Sequence, residues 1–161
     1  MSFASMLGGL TKKKIRFVVI GGVAAAAHGS TRVTNDLDIC YDAGDRANVD
    51  ALAKLLAAWQ AYPRGVEKGL PFIMDHRTLL GAPVMTLITS EGDLDVMDRV
   101  AGVGDYTAVR KHSHKLSALG VSFQVIDLPW LIKAKRAAGR PRDFDHLPEL
   151  EALLELRDRE S

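Results

Sequence analysis

The chain has 161 residues, 47% of them hydrophobic and 25% charged, with 21 basic and 20 acidic side chains and one cysteine. These values are typical of a folded domain, and they exclude a disordered chain, a disulfide framework and nucleic-acid binding driven by overall charge. We expect a single domain over residues 1–161, with a core over 15–126 and a C-terminal helical segment over 127–161.

The apolar segments of the chain predict its location. The longest run, residues 17–27, contains two glycines and is too short to span a bilayer. No cleavage pattern typical of a secretory signal follows it. We therefore expect a cytoplasmic protein with no membrane partner, in which Cys40 is a packing residue.

The first elements follow from local residue types. Residues 15–20 are β-branched and aromatic, which predicts a buried strand that ends at the glycines 21–22. The alanine-rich residues 23–28 predict a short helix, at whose end we expect His28 to have only a packing or helix-terminal role. Residues 32–41 then alternate between polar and apolar side chains, which predicts a half-buried strand.

The rest of the chain predicts helices and hairpins. Apolar residues at three-to-four spacing predict a helix over 45–62 that Pro63 ends. The further predicted elements are a hairpin of strands 84–89 and 94–97 with Gly92 in the turn, a hairpin of strands 115–119 and 121–126, a helix over 128–138 between Asp127 and Gly139, and a last helix over 145–158. This order predicts an α/β (α+β) fold with a mixed β-sheet flanked by helices.

Three aspartates form the strongest candidate site. Asp36 and Asp38 are two residues apart on a strand, so their side chains point to the same side and can reach one ion. Asp95 lies within a hairpin strand and can face this pair from a neighbouring strand, whereas Asp93 lies closer to the turn and Asp98 has the opposite parity. Carboxylates in this arrangement suit Mg²⁺, and a two-ion site serves phosphoryl transfer.

A glycine turn and an arginine are the candidate phosphate contacts. Gly21 and Gly22 between a strand and a helix allow backbone N–H groups to approach a phosphate closely. Arg32 precedes the aspartate pair by four residues. It can pair with a phosphate or a carboxylate, or it can equally be an ordinary surface cation.

Residues 21–39 resemble the signature of the polymerase-β-type nucleotidyltransferase superfamily, and are most similar to small bacterial members grouped with the AbiEii-type toxins of toxin–antitoxin systems. Residues 131–143 are similar to the segment that follows the sheet in those proteins. The resemblance implies that Gly21 and Gly22 hold a nucleoside triphosphate and that Asp36, Asp38 and Asp95 bind metal. It implies a nucleotidyltransferase fold with C-terminal helices.

The same resemblance implies that Lys135 joins the nucleotide site, together with a later acidic residue, Asp143 or Asp145. An alternative role for both aspartates is to cap the last helix. An alternative role for Lys135 is to stabilise a helix end electrostatically. The chain departs from the family at Gly22, where many active members have a serine whose hydroxyl can bind phosphate. Ser30 or Thr31 could supply such a hydroxyl.

Two functions agree with these patterns. The first is Mg²⁺-dependent transfer of a nucleoside monophosphate from a nucleoside triphosphate to an acceptor hydroxyl, on tRNA or on a protein, within a toxin–antitoxin pair. The second is a nucleotide-binding or partner-neutralising regulatory protein with the same fold and no catalysis, which the absence of a serine at Gly22 favours. A cognate toxin or antitoxin is an expected partner in either case.

Overall fold

The computed structural model of the protein describes residues 2–160. The strands within this range are β1 (Phe17–Ile20), β2 (Asp36–Tyr41), β3 (Tyr62–Pro63), β4 (Val84–Thr89), β5 (Gly92–Met97), β6 (Arg99–Val100), β7 (Gly104–Asp105), β8 (Ser113–Ala118) and β9 (Val121–Ile126). The helices are α1 (Phe3–Lys12), α2 (Gly21–Ala27), α3 (Arg46–Ala58), α4 (His76–Leu80), α5 (Tyr106–Lys111), α6 (Leu128–Ala138) and α7 (Pro141–Glu160).

One mixed sheet organises the molecule. Its seven strands lie in the order β3-β4-β5-β2-β1-β9-β8, and β6 pairs with β7 in a separate ribbon. The pairs β2–β5 and β1–β9 are parallel, while β1–β2 and both predicted hairpins, β4–β5 and β8–β9, are antiparallel. A mixed sheet with flanking helices and C-terminal helices confirms the predicted fold class.

The two faces of the central strands differ in polarity. Leu37 on β2 and Leu94 on β5 are fully buried, whereas Asp36 and Asp95 on the same strands are only partly buried. Successive side chains of a strand point to opposite faces, so the leucines enter the core and the aspartates emerge together on the other face. Burial of each leucine stabilises the fold by about 1.5–3 kcal/mol, which fixes the register and hence the position of the aspartates.

Helix α2 connects the two central strands. It begins at Gly21, two residues earlier than predicted, because the glycines themselves form its first turn. His28 is its C-cap and donates from Nε2 to the carbonyl oxygen of Ile126 at 2.8 Å, in agreement with a helix-terminal role. Residues 32–35 have no regular structure, so β2 starts at Asp36 rather than at residue 32.

Helix α3 is shorter than predicted, and Pro63 does not end it. The helix stops at Ala58, and Gln60 follows in the left-handed conformation with φ +55°. The N–H of Ala61 donates to the carbonyl oxygen of Leu56 at 3.0 Å, which closes the helix as a Schellman-type end does. Pro63 instead lies in β3 at the edge of the sheet, where a residue without an N–H is tolerated.

The C-terminal helices flank the sheet near the aspartates. Gly139 ends α6 in the left-handed conformation, as predicted. Helix α7 begins at Pro141, four residues before the predicted start, and Asp143 is its third residue rather than its N-cap. Its carboxylate accepts a hydrogen bond from the N–H of Arg140 at 3.2 Å, in the manner of a capping box.

Helices α1, α4 and α5, strand β3 and the β6–β7 ribbon were not predicted from the sequence pattern. No helix within residues 2–160 combines the length and the apolarity that crossing a membrane requires. Cys40 is fully buried in the core, which confirms its packing role.

Candidate nucleotide and metal site

The three predicted aspartates meet on adjacent strands. Parallel pairing of β2 with β5 sets Asp38 opposite Asp95 and Asp36 opposite Asp93. Carboxylate oxygens of Asp36, Asp38 and Asp95 lie within 4.8 Å of one another. The register thus places Asp95 against the pair, while Asp93 lies outside this group.

Mutual repulsion and burial make this group a site for a cation. Burial, followed by the charges of Asp36 and Asp95, raises the pKa of Asp38 to about 8. Burial also raises the pKa of Asp95, and a hydrogen bond with Asp36 raises it further. A divalent cation prefers hard oxygen ligands and would remove both the repulsion and the protons. The donor set therefore fits a divalent metal ion.

The glycine turn lies directly against these carboxylates. Gly21 has φ +65°, and a Cβ atom built on it would lie 2.0 Å from the Asp38 carboxylate oxygen Oδ2. A side chain at this position would therefore both strain the backbone and displace the metal-ligand candidate. The first turn of α2 consequently presents bare backbone to the space beside Asp38.

Thr34 explains the glycine at position 22. A Cβ atom built on Gly22 would lie 2.6 Å from the Thr34 hydroxyl oxygen and 2.8 Å from its Cβ. The Thr34 hydroxyl donates to the carbonyl oxygen of Asp36 at 3.2 Å. Thr34 thus fills the place that a side chain at position 22 would occupy, and it brings a hydroxyl group with it.

Ser30 and Thr31 do not serve as the replacement hydroxyls that the sequence suggested. Both hydroxyls donate to the carboxylate of Glu149 on α7, and the N–H of Thr31 donates to it at 3.1 Å. These bonds, with the Ser30 bond first, lower the pKa of Glu149 to about 2. The two residues anchor the segment after α2 to α7, and the hydroxyl beside the glycine turn belongs to Thr34.

Lys135 lies on the α6 side of the aspartates. Its Nζ is 3.5 Å from Oδ1 of Asp143, which is fully buried and also receives the Arg140 Nε at 2.7 Å. Burial lowers the pKa of Lys135, against the opposing effect of Asp143. The hydrogen bonds and charge of Arg140 hold the pKa of Asp143 below its usual range despite burial. Asp145, the alternative, is exposed.

One cavity of about 450 Å³ collects the predicted residues. Among the side chains and backbone groups that line it are Gly21, Gly22, Arg32, Asp36, Asp38, Asp95, Lys135 and Asp143. Apolar residues such as Val84, Met97 and Leu131 form another part of its wall. Arg32 is exposed at this cavity, and its guanidinium donates to the carbonyl oxygen of Arg142 at 3.1 Å. Carboxylates, backbone amides, cations and an apolar wall together suit a nucleotide.

Arg64 is a component of the site that the sequence did not indicate. It follows β3, and its guanidinium nitrogen Nη2 donates to Asp95 Oδ1 at 2.9 Å. Other nitrogens of the same group lie 4.0 Å from Asp36 and 3.7 Å from Asp93. The contact joins residues 31 positions apart across three strands, so no local pattern could have predicted it.

Comparison with solved structures identifies the fold. A candidate nucleotidyltransferase from Thermotoga maritima superposes with a TM-score of 0.56 at 18% identity, over 92% of this chain and 94% of that chain. An antigenic nucleotidyltransferase-like protein from Paracoccidioides brasiliensis gives a TM-score of 0.56 at 17% identity, over 95% of this chain and 73% of that chain. No protein-family model matches the sequence, and the comparison with curated proteins finds no match. The fold is that of nucleotidyltransferase structures.

Proposed function

We propose that this protein is a metal-dependent nucleotidyltransferase, which moves a nucleoside monophosphate from a nucleoside triphosphate to an acceptor hydroxyl. The observation that carries the proposal is the meeting of three carboxylates, within 4.8 Å of one another, with a glycine turn whose first residue touches Asp38. A metal site beside bare backbone at a helix N-terminus suits a triphosphate. The likeness to nucleotidyltransferase structures supports the same conclusion.

Each side of the cavity has a role in this proposal. The first turn of α2, at Gly21 and Gly22, binds the phosphates through backbone N–H groups, and the Thr34 hydroxyl stands where a serine at position 22 would place its own. Lys135 and Arg32 add positive charge. The apolar lining residues, such as Met97 and Leu131, receive the base. The proposal takes all of these residues as parts of a single domain over residues 1–161.

The reaction forms a bond between the acceptor oxygen and the α-phosphorus and breaks the bond from that phosphorus to the β-phosphate, so pyrophosphate leaves. Asp36, Asp38 and Asp95 would hold one or two Mg²⁺ ions, which when bound would stabilise the attacking and leaving oxygens. The acceptor hydroxyl gives its proton to a carboxylate of the site, and Asp95 is the candidate for this proton acceptor. The turn and Lys135 hold the triphosphate in line.

The acceptor defines the biological role. The resemblance of residues 21–39 and 131–143 to toxin–antitoxin nucleotidyltransferases supports a hydroxyl of tRNA or of a protein as the acceptor, within a toxin–antitoxin pair in the cytoplasm. The partner in this proposal is a cognate toxin or antitoxin. Both acceptor classes are tested as separate arms of one experiment.

The direct test follows the label of the nucleotide. Purified protein is incubated with Mg²⁺ and each nucleoside triphosphate, labelled at the α- or at the γ-phosphate, in the presence of total RNA or of cell lysate. We expect the α-label to appear in RNA or protein and the γ-label to appear in pyrophosphate. Asp38→Asn removes transfer, while Asp50→Asn, which changes a partly exposed aspartate on α3, retains it.

The outcomes separate the two functions. Transfer of the γ-label to the acceptor would indicate a kinase-type reaction and would contradict the proposal. Binding of the triphosphate with Mg²⁺ but no transfer in either arm would favour the non-catalytic regulatory protein. Equal transfer by the wild type and by Asp38→Asn would show that the carboxylate group takes no part in the reaction.

A further inference from the structure

Arg64 occupies the position of a cation among the site carboxylates. Among residues 2–160 it is the one Lys, Arg or His with a side-chain nitrogen within 4.0 Å of Asp36 or Asp95. A third carboxylate, Asp93, lies 3.7 Å from its Nε. The Arg64 side chain is about 30% exposed. Its Nη2 also donates to the carbonyl oxygen of Leu87 at 3.0 Å, while its Nε is buried without a hydrogen-bond partner. One positive group thus contacts three carboxylates without satisfying all of its own donors.

We propose that Arg64 is a resident counter-cation of the carboxylate site and that a divalent metal ion must displace it. The proposal rests on the proposed function, because it takes Asp36 and Asp95 as metal ligands. While no metal is bound, the guanidinium holds the carboxylates together against their mutual repulsion. When the metal binds, two cations compete for the same oxygens, and the guanidinium turns away.

The backbone and its surroundings permit this movement. The N–H of Arg64 donates to the carbonyl oxygen of Thr86 at 2.9 Å, so the main chain stays attached to β4 while the side chain moves. Residues 65–71 are all exposed, and Cβ atoms built on Gly65 and Gly69 would meet no atom within 4 Å. Solvent is therefore next to the guanidinium on the outer side.

The strand order separates this exchange from the phosphate side. Arg64 reaches the aspartates from the β3–β4 edge, whereas the glycine turn follows β1, on the opposite side of β2 and β5. The guanidinium can leave without disturbing Gly21 or Thr34. The metal affinity of the free protein therefore depends on Arg64, independently of the nucleotide.

The test measures metal binding and not activity. Mn²⁺ alone is titrated by calorimetry into the wild type, Arg64→Gln, Arg64→Lys and the control Arg46→Gln, at one pH and ionic strength. In Arg64→Gln the metal no longer has to break the ion pairs of the guanidinium with Asp95 and Asp36, at 2.9 and 4.0 Å, so Mn²⁺ binding should tighten about tenfold or more. Arg64→Lys keeps the charge and should bind as the wild type does. Arg46, an exposed partner of Asp50, should have no effect.

A second measurement uses the unmodified side chain, in case Arg64→Gln does not fold. The Nε–H signal of Arg64, assigned by its loss in Arg64→Lys, is followed by NMR while Mg²⁺ is added to the wild type. We expect the signal to shift in parallel with metal binding. Unchanged or weaker Mn²⁺ affinity in Arg64→Gln, or an unmoved Nε–H signal at saturating Mg²⁺, would overturn the inference and leave the proposed function standing. A wild type that binds no divalent ion would overturn both.

Discussion

Two cations flank the carboxylate group, and their surroundings differ. Lys135, on the α6 side, is paired with the buried Asp143, at 3.5 Å, and so has a fixed position beside the cavity. Arg64, on the edge-strand side, is paired with the site carboxylates themselves, at 2.9 Å from Asp95. The cation with its own buried partner belongs to the permanent site, and the cation without one is exchangeable. The first side is built to bind a substrate, and the second responds to metal.

The largest expected effect separates the two neighbouring aspartates of β5. Asp95→Asn removes a metal ligand and a proton acceptor, so nucleotidyl transfer should fall by about a thousandfold, as when a preorganised electrostatic group is lost. Asp93→Asn is the matched control, because Asp93 has the same parity on the same strand but lies outside the three-carboxylate group. Its rate should stay within a few-fold of the wild type. Equal losses in both variants would contradict the assigned register.

The raised pKa of Asp38 predicts how stability depends on pH without metal. Its pKa is about 8 in the folded chain, against an ordinary value of 3.8, so between these values the unfolded chain releases a proton that the folded chain keeps. Asp38 therefore stabilises the fold most below about pH 4, and this contribution is lost as pH rises through 8. Burial lowers the pKa of His28 and His146, whose contribution has the opposite sign, rising with pH up to about 6.5.

The difference between the wild type and Asp38→Asn cancels the histidine contributions. Chemical denaturation in a chelator, from pH 5.5 to 8.5, should show the wild type losing a few kcal/mol relative to Asp38→Asn. Saturating Mg²⁺ should remove most of this difference in slope, because the ion favours the ionised carboxylate. Parallel pH profiles in the chelator would show that Asp38 is ionised in the metal-free fold.

The Lys135 side is tested through Asp143. Asp143→Asn removes the charge of a fully buried carboxylate that pairs with two partly exposed cations, Lys135 and Arg140, which should lower the free energy of unfolding by about 2 kcal/mol. Asp145→Asn, an exposed change on the same helix, should alter it by less than about 0.5 kcal/mol. Thermal and urea unfolding of both variants measure these changes in the free energy of unfolding. A small effect for Asp143→Asn would mean that Lys135 is no more fixed than Arg64.

The contact between Gly22 and Thr34 predicts that a second substitution restores the stability that a first one removes. Gly22→Ser alone places a Cβ atom 2.6 Å from the Thr34 hydroxyl oxygen and should destabilise the protein by about 1–3 kcal/mol. Thr34→Gly in the same chain removes both the hydroxyl and the Cβ atom, which lies 2.8 Å from the new Cβ, so the double variant should recover most of the stability. A double-mutant cycle measured by urea unfolding gives the coupling energy directly. Additive effects would mean that the two residues do not share the space.

The smallest expected effect distinguishes the two cations by what they bind. Lys135→Gln should weaken binding of a nucleoside triphosphate about tenfold, through loss of one charge-assisted contact. It should change Mn²⁺ affinity much less than Arg64→Gln does, because Lys135 is paired with Asp143 and not with a site carboxylate. Lys133→Gln is the control, because Lys133 lies over the Trp130 ring. A large change in Mn²⁺ affinity for Lys135→Gln would erase the distinction between the two sides.

The parts of the site that depend on local pattern were predictable, and those that depend on packing between distant segments were not. Asp36, Asp38 and the glycine turn lie within 18 residues of each other, and their spacing specifies their faces. Asp95 needed only the parity of a hairpin strand. Arg64 carries no periodic signal because it stands between a two-residue edge strand and an exposed loop.

The fold departs from the predicted elements for similar reasons. Helix α1 contains Gly8 and Gly9, which are poor helix formers, and is held by the burial of Met6, Leu7 and Leu10. The end of α3 depends on the left-handed conformation of Gln60, which is less common for a residue other than glycine. Tertiary packing selects both, and the local residue types oppose them.

The most direct test of the central claim is calorimetry with an α,β-methylene triphosphate that cannot be turned over. The wild type should bind this analogue in the presence of Mg²⁺ and only weakly in a chelator, and both Asp38→Asn and Asp95→Asn should lose the Mg²⁺-dependent part of the affinity. Asp93→Asn should retain it. Binding that is equally strong with and without Mg²⁺, or unaffected by Asp38→Asn and Asp95→Asn, would contradict a metal-dependent nucleotide site at these carboxylates.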